Sequence, residues 1–174
     1  MEDDDLIKRV ANGEQEAFAE LYQLKADHAL RTAIAITQNK EIAKDAVQET
    51  FFRVYQRLDS FDQRLTFDPW FYRILVNECR RLLKKETRFL DRLKKKTLDT
   101  NIEINEAKPD YSLLYEAMQR LPEINRMPII LKYVKGFSEM EIAEILGANQ
   151  NTIKSRLYKG RNKLRNLMEK RGRE

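Results

Sequence analysis

The chain is poor in the residues that most catalytic and extracellular proteins depend on. Its 174 residues include one cysteine, Cys79, and one histidine, His28. Two such side chains cannot furnish the three or four ligands of a zinc site, and a lone thiol closes no disulfide within the chain. A Cys–His nucleophile pair is formally present, but Cys79 lies in a run with amphipathic-helix spacing and reads as packing, as does His28. Glycine and proline are scarce, at five and four. That argues against a sandwich, a barrel or a Gly-rich phosphate-binding sheet. No stretch approaches the roughly 18 apolar residues of a membrane span, and the acidic start Met-Glu-Asp-Asp-Asp is the opposite of a signal-peptide n-region. No cluster of acidic residues stands out that would hold a catalytic metal on nucleic acid. The expectation is a soluble, intracellular, all-α protein that is not an enzyme and needs no cofactor or metal.

What the chain does have is charge, at 35% of residues against 42% hydrophobic. The net charge of +5 hides an alternation. Residues 1–62 carry 8 basic and 13 acidic side chains, and residues 73–96 carry 10 and 3. Residues 97–153 then carry 5 and 9, and residues 154–173 carry 9 and 1. Two basic blocks of +7 and +8 are thus held apart by an acidic-leaning stretch. Charge alone allows two solvated helix ends, or two separate contacts with a polyanion such as nucleic acid.

Helical periodicity organises the rest. Leu6 and Val10 precede a break at Asn12-Gly13, and the helix carrying Phe18, Leu21 and Tyr22 should reach Thr37. Another begins near Lys40, with Val47, Phe51, Val54 and Leu58 on its apolar stripe. Residues 61–67 read as a loop. Asp68-Pro69 looks like a helix start, with Asp68 as N-cap, and this helix should run to about Lys85. Trp70, Phe71 and Tyr72 span about 200° of its circumference, so some of these rings should lie near the surface. Residues 89–110 read as a linker between residues 1–88 and 111–174. Tyr111, Leu114 and Met118 restart the pattern, Pro122 opens a helix that ends at Gly136, and Pro128 should kink it or start a 3₁₀ turn.

The sharpest signal is the run from Glu139 to Tyr158. Ser138 and Glu141 are placed for a capping box. Ala143, Gly147 and Ile153 have the spacing of a helix-turn-helix: a small residue where the helices cross, a turn glycine with positive φ, and an apolar residue on the second helix's inner face. Ile142, Ile145, Leu146 and Leu157 supply the shared core. The second helix turns Asn151, Thr152, Lys154, Ser155, Tyr158 and Lys159 outward for base edges in a major groove, with Arg156, Arg161, Lys163 and Arg165 towards phosphates.

At this point the residues resemble a known family. The segment from Leu121 to Arg165 is similar to region 4 of the extracytoplasmic-function (ECF) sigma factors, whose pattern runs Leu-Pro, an Arg a few residues on, a Gly, then Glu-Ile-Ala-x-x-Leu-Gly and Thr-Val/Ile-Lys-Ser-Arg-Leu. Asp45 to Tyr55 resembles the sigma region that grips the β′ clamp helices of RNA polymerase, which implies polymerase contacts at Asp45, Gln48, Glu49, Phe52 and Arg53. On spacing alone, Asp45, Gln48, Glu49 and Arg53 are an ordinary polar helix face. Phe67 to Lys85 resembles the segment that melts and reads the −10 element. There the resemblance implies strand contacts by Arg73, Asn77, Arg80 and Arg81, and capture of a flipped base by the loop bearing Phe61, Gln63 and Arg64. Many relatives carry Asp where this chain has Arg81. Trp70 is largely a packing residue in the family. The length leaves no room for region 1.1 or a folded region 3.

The resemblance implies a two-domain, all-helical protein, a region 2 bundle and a region 4 helix-turn-helix, acting in a bacterial cytoplasm. Its partners would be core RNA polymerase (the β′ clamp helices and β flap), promoter DNA, and an anti-sigma factor that is often membrane-anchored. No membrane insertion of its own is implied. A stand-alone helix-turn-helix regulator is the competing reading, and it leaves the basic block at residues 73–96 unexplained.

Overall fold

A computed structural model describes residues 2–58, 61–62, 64–96 and 113–171, and among them no strand occurs. The first unit comprises α1 (Glu2–Ala11), α2 (Gln15–Thr37), α3 (Lys40–Arg57) and α4 (Phe67–Lys96). Its breaks follow from local chemistry. Gly13 takes φ +84° between α1 and α2. Gln38 closes α2 in the left-handed region at φ +58°, its N–H donating to the Ile34 carbonyl. Asn39 then opens α3, its side chain accepting from the Glu41 and Ile42 N–H groups at 2.9 and 3.0 Å, the usual service of an N-cap.

Between these helices lies an aromatic core. Phe51 sits 4.7 Å from Tyr22 and 5.3 Å from Phe71, centroid to centroid, while Phe18 meets Tyr55 edge-on at 5.1 Å. Ala29, Ala33, Ala43 and Ala46 are fully buried, small side chains that let α2 and α3 approach closely.

The longest helix, α4, departs from expectation at both ends. It starts at Phe67, so Asp68 lies in the first turn rather than at the cap, and its carboxylate meets Lys25 Nζ at 2.9 Å. It also continues past Lys85 to Lys96. The apolar pattern weakens over residues 86–96, but they contain neither Gly nor Pro, and a run made largely of good helix formers carries the helix onward. Phe89 on this extension is exposed.

The second unit comprises α5 (Leu113–Gln119), α6 (Glu123–Ile129), a π-helical turn (Ile130–Val134), α7 (Glu139–Leu146) and α8 (Gln150–Arg171). Tyr111 lies outside the described residues. Pro128 sits inside α6, and the chain after it widens instead of tightening into a 3₁₀ turn. The Lys135 N–H reaches back to the Ile130 carbonyl and the Phe137 N–H to that of Leu131. The capping box is as expected: Ser138 Oγ accepts from the Glu141 N–H, and Glu141 Oε2 accepts from the Ser138 N–H at 2.8 Å. Gly147 ends α7 at φ +61°. Gly160 is needed for a different reason. A Cβ there would lie 2.9 Å from Ile129 Cγ1, so only glycine lets α8 pass this close to α6.

The two units pack against each other. Tyr72 of α4 faces Phe137 at 5.3 Å, which leaves Trp70 as the ring of the aromatic triplet nearest the surface. Trp70 is half-buried, but Phe71 and Tyr72 are both buried, the first by the bundle and the second by the neighbouring unit. Consecutive rings cannot share one helical face, and here the neighbouring unit covers what the bundle leaves open.

Candidate nucleic-acid and polymerase interfaces

The helix-turn-helix presents α8 as the sequence suggests. Ile153 and Leu157 are buried against Ile142 and Ile145, which fixes the rotation of α8. Asn151, Lys154, Ser155, Tyr158, Lys159 and Arg161 consequently face solvent, with Thr152 and Arg156 half-buried. Asn149 Oδ1 accepts from the Thr152 N–H at 2.7 Å and steadies the first turn. Asn125, a buried polar residue that the sequence did not single out, donates from Nδ2 to the Arg156 carbonyl at 3.1 Å and ties α6 to the middle of α8. Among the described residues no carboxylate pairs with Lys154 or Lys159, so both ammonium groups are open to phosphate. Arg161 is turned back, donating to the Tyr133 hydroxyl at 3.1 Å.

The −10 candidates are in a different electrostatic state. Arg73 and Asn77 are exposed on α4. Arg80 Nε lies 3.5 Å from Glu123 of the other unit. Arg81 reaches Glu78 at 2.7 Å and Glu49 at 3.7 Å. In the loop, Arg64 forks onto Asp62, and its own N–H donates to Asp62 Oδ1 at 3.0 Å. Side-chain and then backbone hydrogen bonds from Arg64 hold the Asp62 carboxyl below the ordinary carboxylate range. Phe61 does not project into solvent: its ring is buried 4.9 Å from Trp70 and 5.8 Å from Phe67. Gln63 lies outside the described residues.

On α3, Asp45 and Gln48 are exposed, Glu49 is half-buried and Phe52 stands out as an exposed ring beside exposed Tyr55. Arg53 is not part of this open face. It bends inward, its Nε 2.6 Å from Glu78 Oε1. Glu78 is the residue that sequence reasoning missed: a carboxylate only 4% exposed, held between Arg53 and Arg81. Its signal was present, an acid on the same face of α4 as buried Phe71 and Leu75, seven and three residues before it. A buried carboxylate persists only where cations pair with it.

Cys79 is buried, and burial pushes its thiol up to about 12. Burial likewise raises the Tyr72 phenol above its ordinary range, against a hydrogen bond with Thr32. Among the described residues no group of three or more His, Cys, Asp or Glu side chains could hold a metal ion.

Comparison with known proteins converges on one family. Residues 21–89 match Sigma-70 region 2, and residues 111–164 match Sigma-70, region 4. The chain is 32% identical to the ECF RNA polymerase sigma factor SigW of Bacillus subtilis, covering 91% of this chain and 92% of that one. It is 29% identical to the ECF RNA polymerase sigma-E factor of Escherichia coli, over 94% and 93% of the two chains. Among solved structures, the sigma factor RpoE in complex with the anti-sigma factor NepR from Bartonella quintana superposes with a TM-score of 0.73, at 28% identity, over 87% of this chain and 96% of that one. CnrH, in complex with the cytosolic domain of CnrY, gives 0.72 at 25% identity over 96% and 97%. With both sigma regions present in order and near-complete coverage of its relatives, this chain belongs to the ECF RNA polymerase sigma factors.

Proposed function

We propose that the chain binds core RNA polymerase and directs it to specific promoters, with residues 111–174 reading the −35 element as duplex and residues 1–88 opening and holding the −10 element. Residues 89–110 join the two. The observation that carries this reading is the helix-turn-helix geometry. Buried Ile153 and Leu157, the capping box and left-handed Gly147 aim an uncompensated basic helix outward. Such a helix suits a major groove.

In region 2, Arg73, Asn77, Arg80 and Arg81 form the track for the opened strand, with Arg64 at its edge. Buried Phe61 takes the role of supporting the loop that presents Arg64 and Gln63. Melting needs no catalytic residue, because binding of unstacked bases and phosphates offsets the cost of opening the duplex. Asp45, Gln48, Glu49 and exposed Phe52 form the polymerase-facing surface on the clamp-helix side, and region 4 meets the β flap. Arg53 acts behind that surface, through Glu78. The protein works in the cytoplasm under an anti-sigma factor, a role supported by the NepR-bound relative. Among the described residues no helix is long and apolar enough to cross a membrane.

The test is transcription by core polymerase on a pool of genomic fragments, with and without the protein. Specific starts that appear only with it, upstream of which common −35 and −10 sequences align, are expected. A shifted palindromic duplex in the absence of polymerase, with no new starts, would replace this reading with the stand-alone regulator. Lys154→Ala or Tyr158→Ala should cost about 1–3 kcal/mol at −35-dependent promoters if the side chain reads a base.

A further inference from the structure

The promoter reading leaves one basic stretch unused, the part of α4 beyond Arg81. Lys84 and Arg88 are exposed there and follow Arg80 in steps of four residues, which puts the three on one helix face. That face lines a cavity of about 800 Å³ together with Glu123, Ile124 and Arg156 of region 4. A second cavity, of about 820 Å³, shares Ile124 and Arg156 with the first and extends to Lys159 and Lys163 of α8. The two adjoin as one trough that begins on α4 and runs onto α8. Its charge is one-sided. Glu123 is the acid that lines it, 3.5 Å from Arg80. Among the described residues no carboxylate pairs with Lys84, Arg88, Arg156, Lys159 or Lys163. Arg156, Lys159 and Lys163 also form a stripe centred roughly 160° round α8 from Lys154, Tyr158 and Arg161. A duplex centred on the latter residues leaves much of that stripe uncovered.

The shape selects the occupant. Duplex DNA is read by an element that projects into its grooves, whereas a concave basic trough tracks a single backbone. Exposed Ile124 and half-buried Leu83 offer unstacked bases an apolar floor, and Arg80, Arg88 and Arg156 offer guanidinium planes for stacking. Asn149, Asn151 and Ser155 line the α8 section. Their amides and hydroxyl both donate and accept, which matches a ribose 2′-hydroxyl. Away from polymerase, DNA exposes a single strand only at the cost of unpairing it, so the single strand open to the free protein is RNA. We infer that this trough is a binding site for single-stranded RNA in the polymerase-free protein, with Lys84, Arg88, Arg156, Lys159 and Lys163 on its phosphates. The site goes beyond promoter recognition and does not depend on it.

Fluorescence anisotropy of the full-length protein, without polymerase, tests it. The probe is a labelled oligouridine of about 12 nucleotides, within the usual ~4–16 span of a single-strand site. It should bind at least tenfold more tightly than a duplex of the same length. Affinity should fall with salt at a log–log slope of about 3.5, from roughly 0.7 for each of the unpaired cations. Lys84→Glu and Arg88→Glu on α4, and Lys163→Glu on α8, should each weaken binding about tenfold. Lys154→Glu makes the same change in net charge outside the trough and should leave binding within about twofold. All four side chains are exposed, and helical circular dichroism verifies that each variant is folded. Equal losses from all four variants would mean attraction to net charge alone and would overturn the site. Absence of binding, or preference for the duplex, would do the same. Equal affinity for oligothymidine DNA, or displacement of the RNA by polyglutamate at equal charge, would overturn the assignment to RNA.

Discussion

Region 2 and region 4 of this chain hold their cations in opposite ways. The region 2 bundle is held by a large aromatic core and by buried Glu78 clamped between Arg53 and Arg81. Of the arginines proposed for the opened strand, Arg64 is engaged by Asp62, Arg81 by Glu78 and Glu49, and Arg80 by Glu123, while Arg73 stands exposed. Region 4 sets short helices against the long α8 by a capping box, a left-handed glycine and a glycine crossing. Its Lys154 and Lys159 have no internal carboxylate among the described residues. A duplex phosphate array can be met by open charges at once, whereas cations that wait for a melted strand are held in place by internal partners until that strand exists. On the proposed assignment, the difference teaches that one basic block is ready and most of the other is held in reserve.

The contrast can be broken most severely at Phe71, fully buried at the centre of the bundle. Phe71→Ala should cost about 4 kcal/mol. Hydrogen exchange should then accelerate through α2, α3 and α4 far more than through α7 and α8, and equal acceleration in both units would mean they have no separate cores. Next comes Glu78→Ala, which strands Arg53 and Arg81. Loss of a fully buried partner costs about 3–5 kcal/mol, but both arginines are about a third or more exposed, so solvent screening brings the expected loss to about 2 kcal/mol. Urea unfolding measures it. A smaller loss, about 1 kcal/mol, is expected for Ser138→Ala, which removes the side-chain half of the α7 capping box; a change in thermal midpoint confined to region 4 would sharpen the division. Smallest in energy is the behaviour of Cys79. With burial holding its thiol at about 12, alkylation at neutral pH should track unfolding of the bundle, and rapid labelling of the native protein would show that the α4 core is open.

The fold was legible where periodicity and local chemistry agreed. Leu6, Asn12-Gly13, Thr37, Lys40, Ser138, Glu141 and Gly147 all lie where spacing and capping rules put them. It was illegible where a helix runs on past its clear apolar pattern, as at residues 86–96, or where a proline loosens rather than tightens a turn, as after Pro128. Among site residues, the outward face of α8 follows from its apolar residues alone. The inward turn of Arg53, the burial of Phe61 and the pairing of Arg81 do not, because each depends on a partner from a different helix.

The sequence by itself determined the helices, the helix-turn-helix and the two separated basic blocks, since these depend on spacings of a few residues and on side chains acting on their own backbone. Only the tertiary structure decided which cations are free and which are paired, why Glu78 is tolerated inside, and how Tyr72 is buried. Those outcomes hang on contacts such as Arg126 to Ile36 and Tyr72 to Phe137, between residues 90 and 65 positions apart, and no local pattern encodes a distance of that kind.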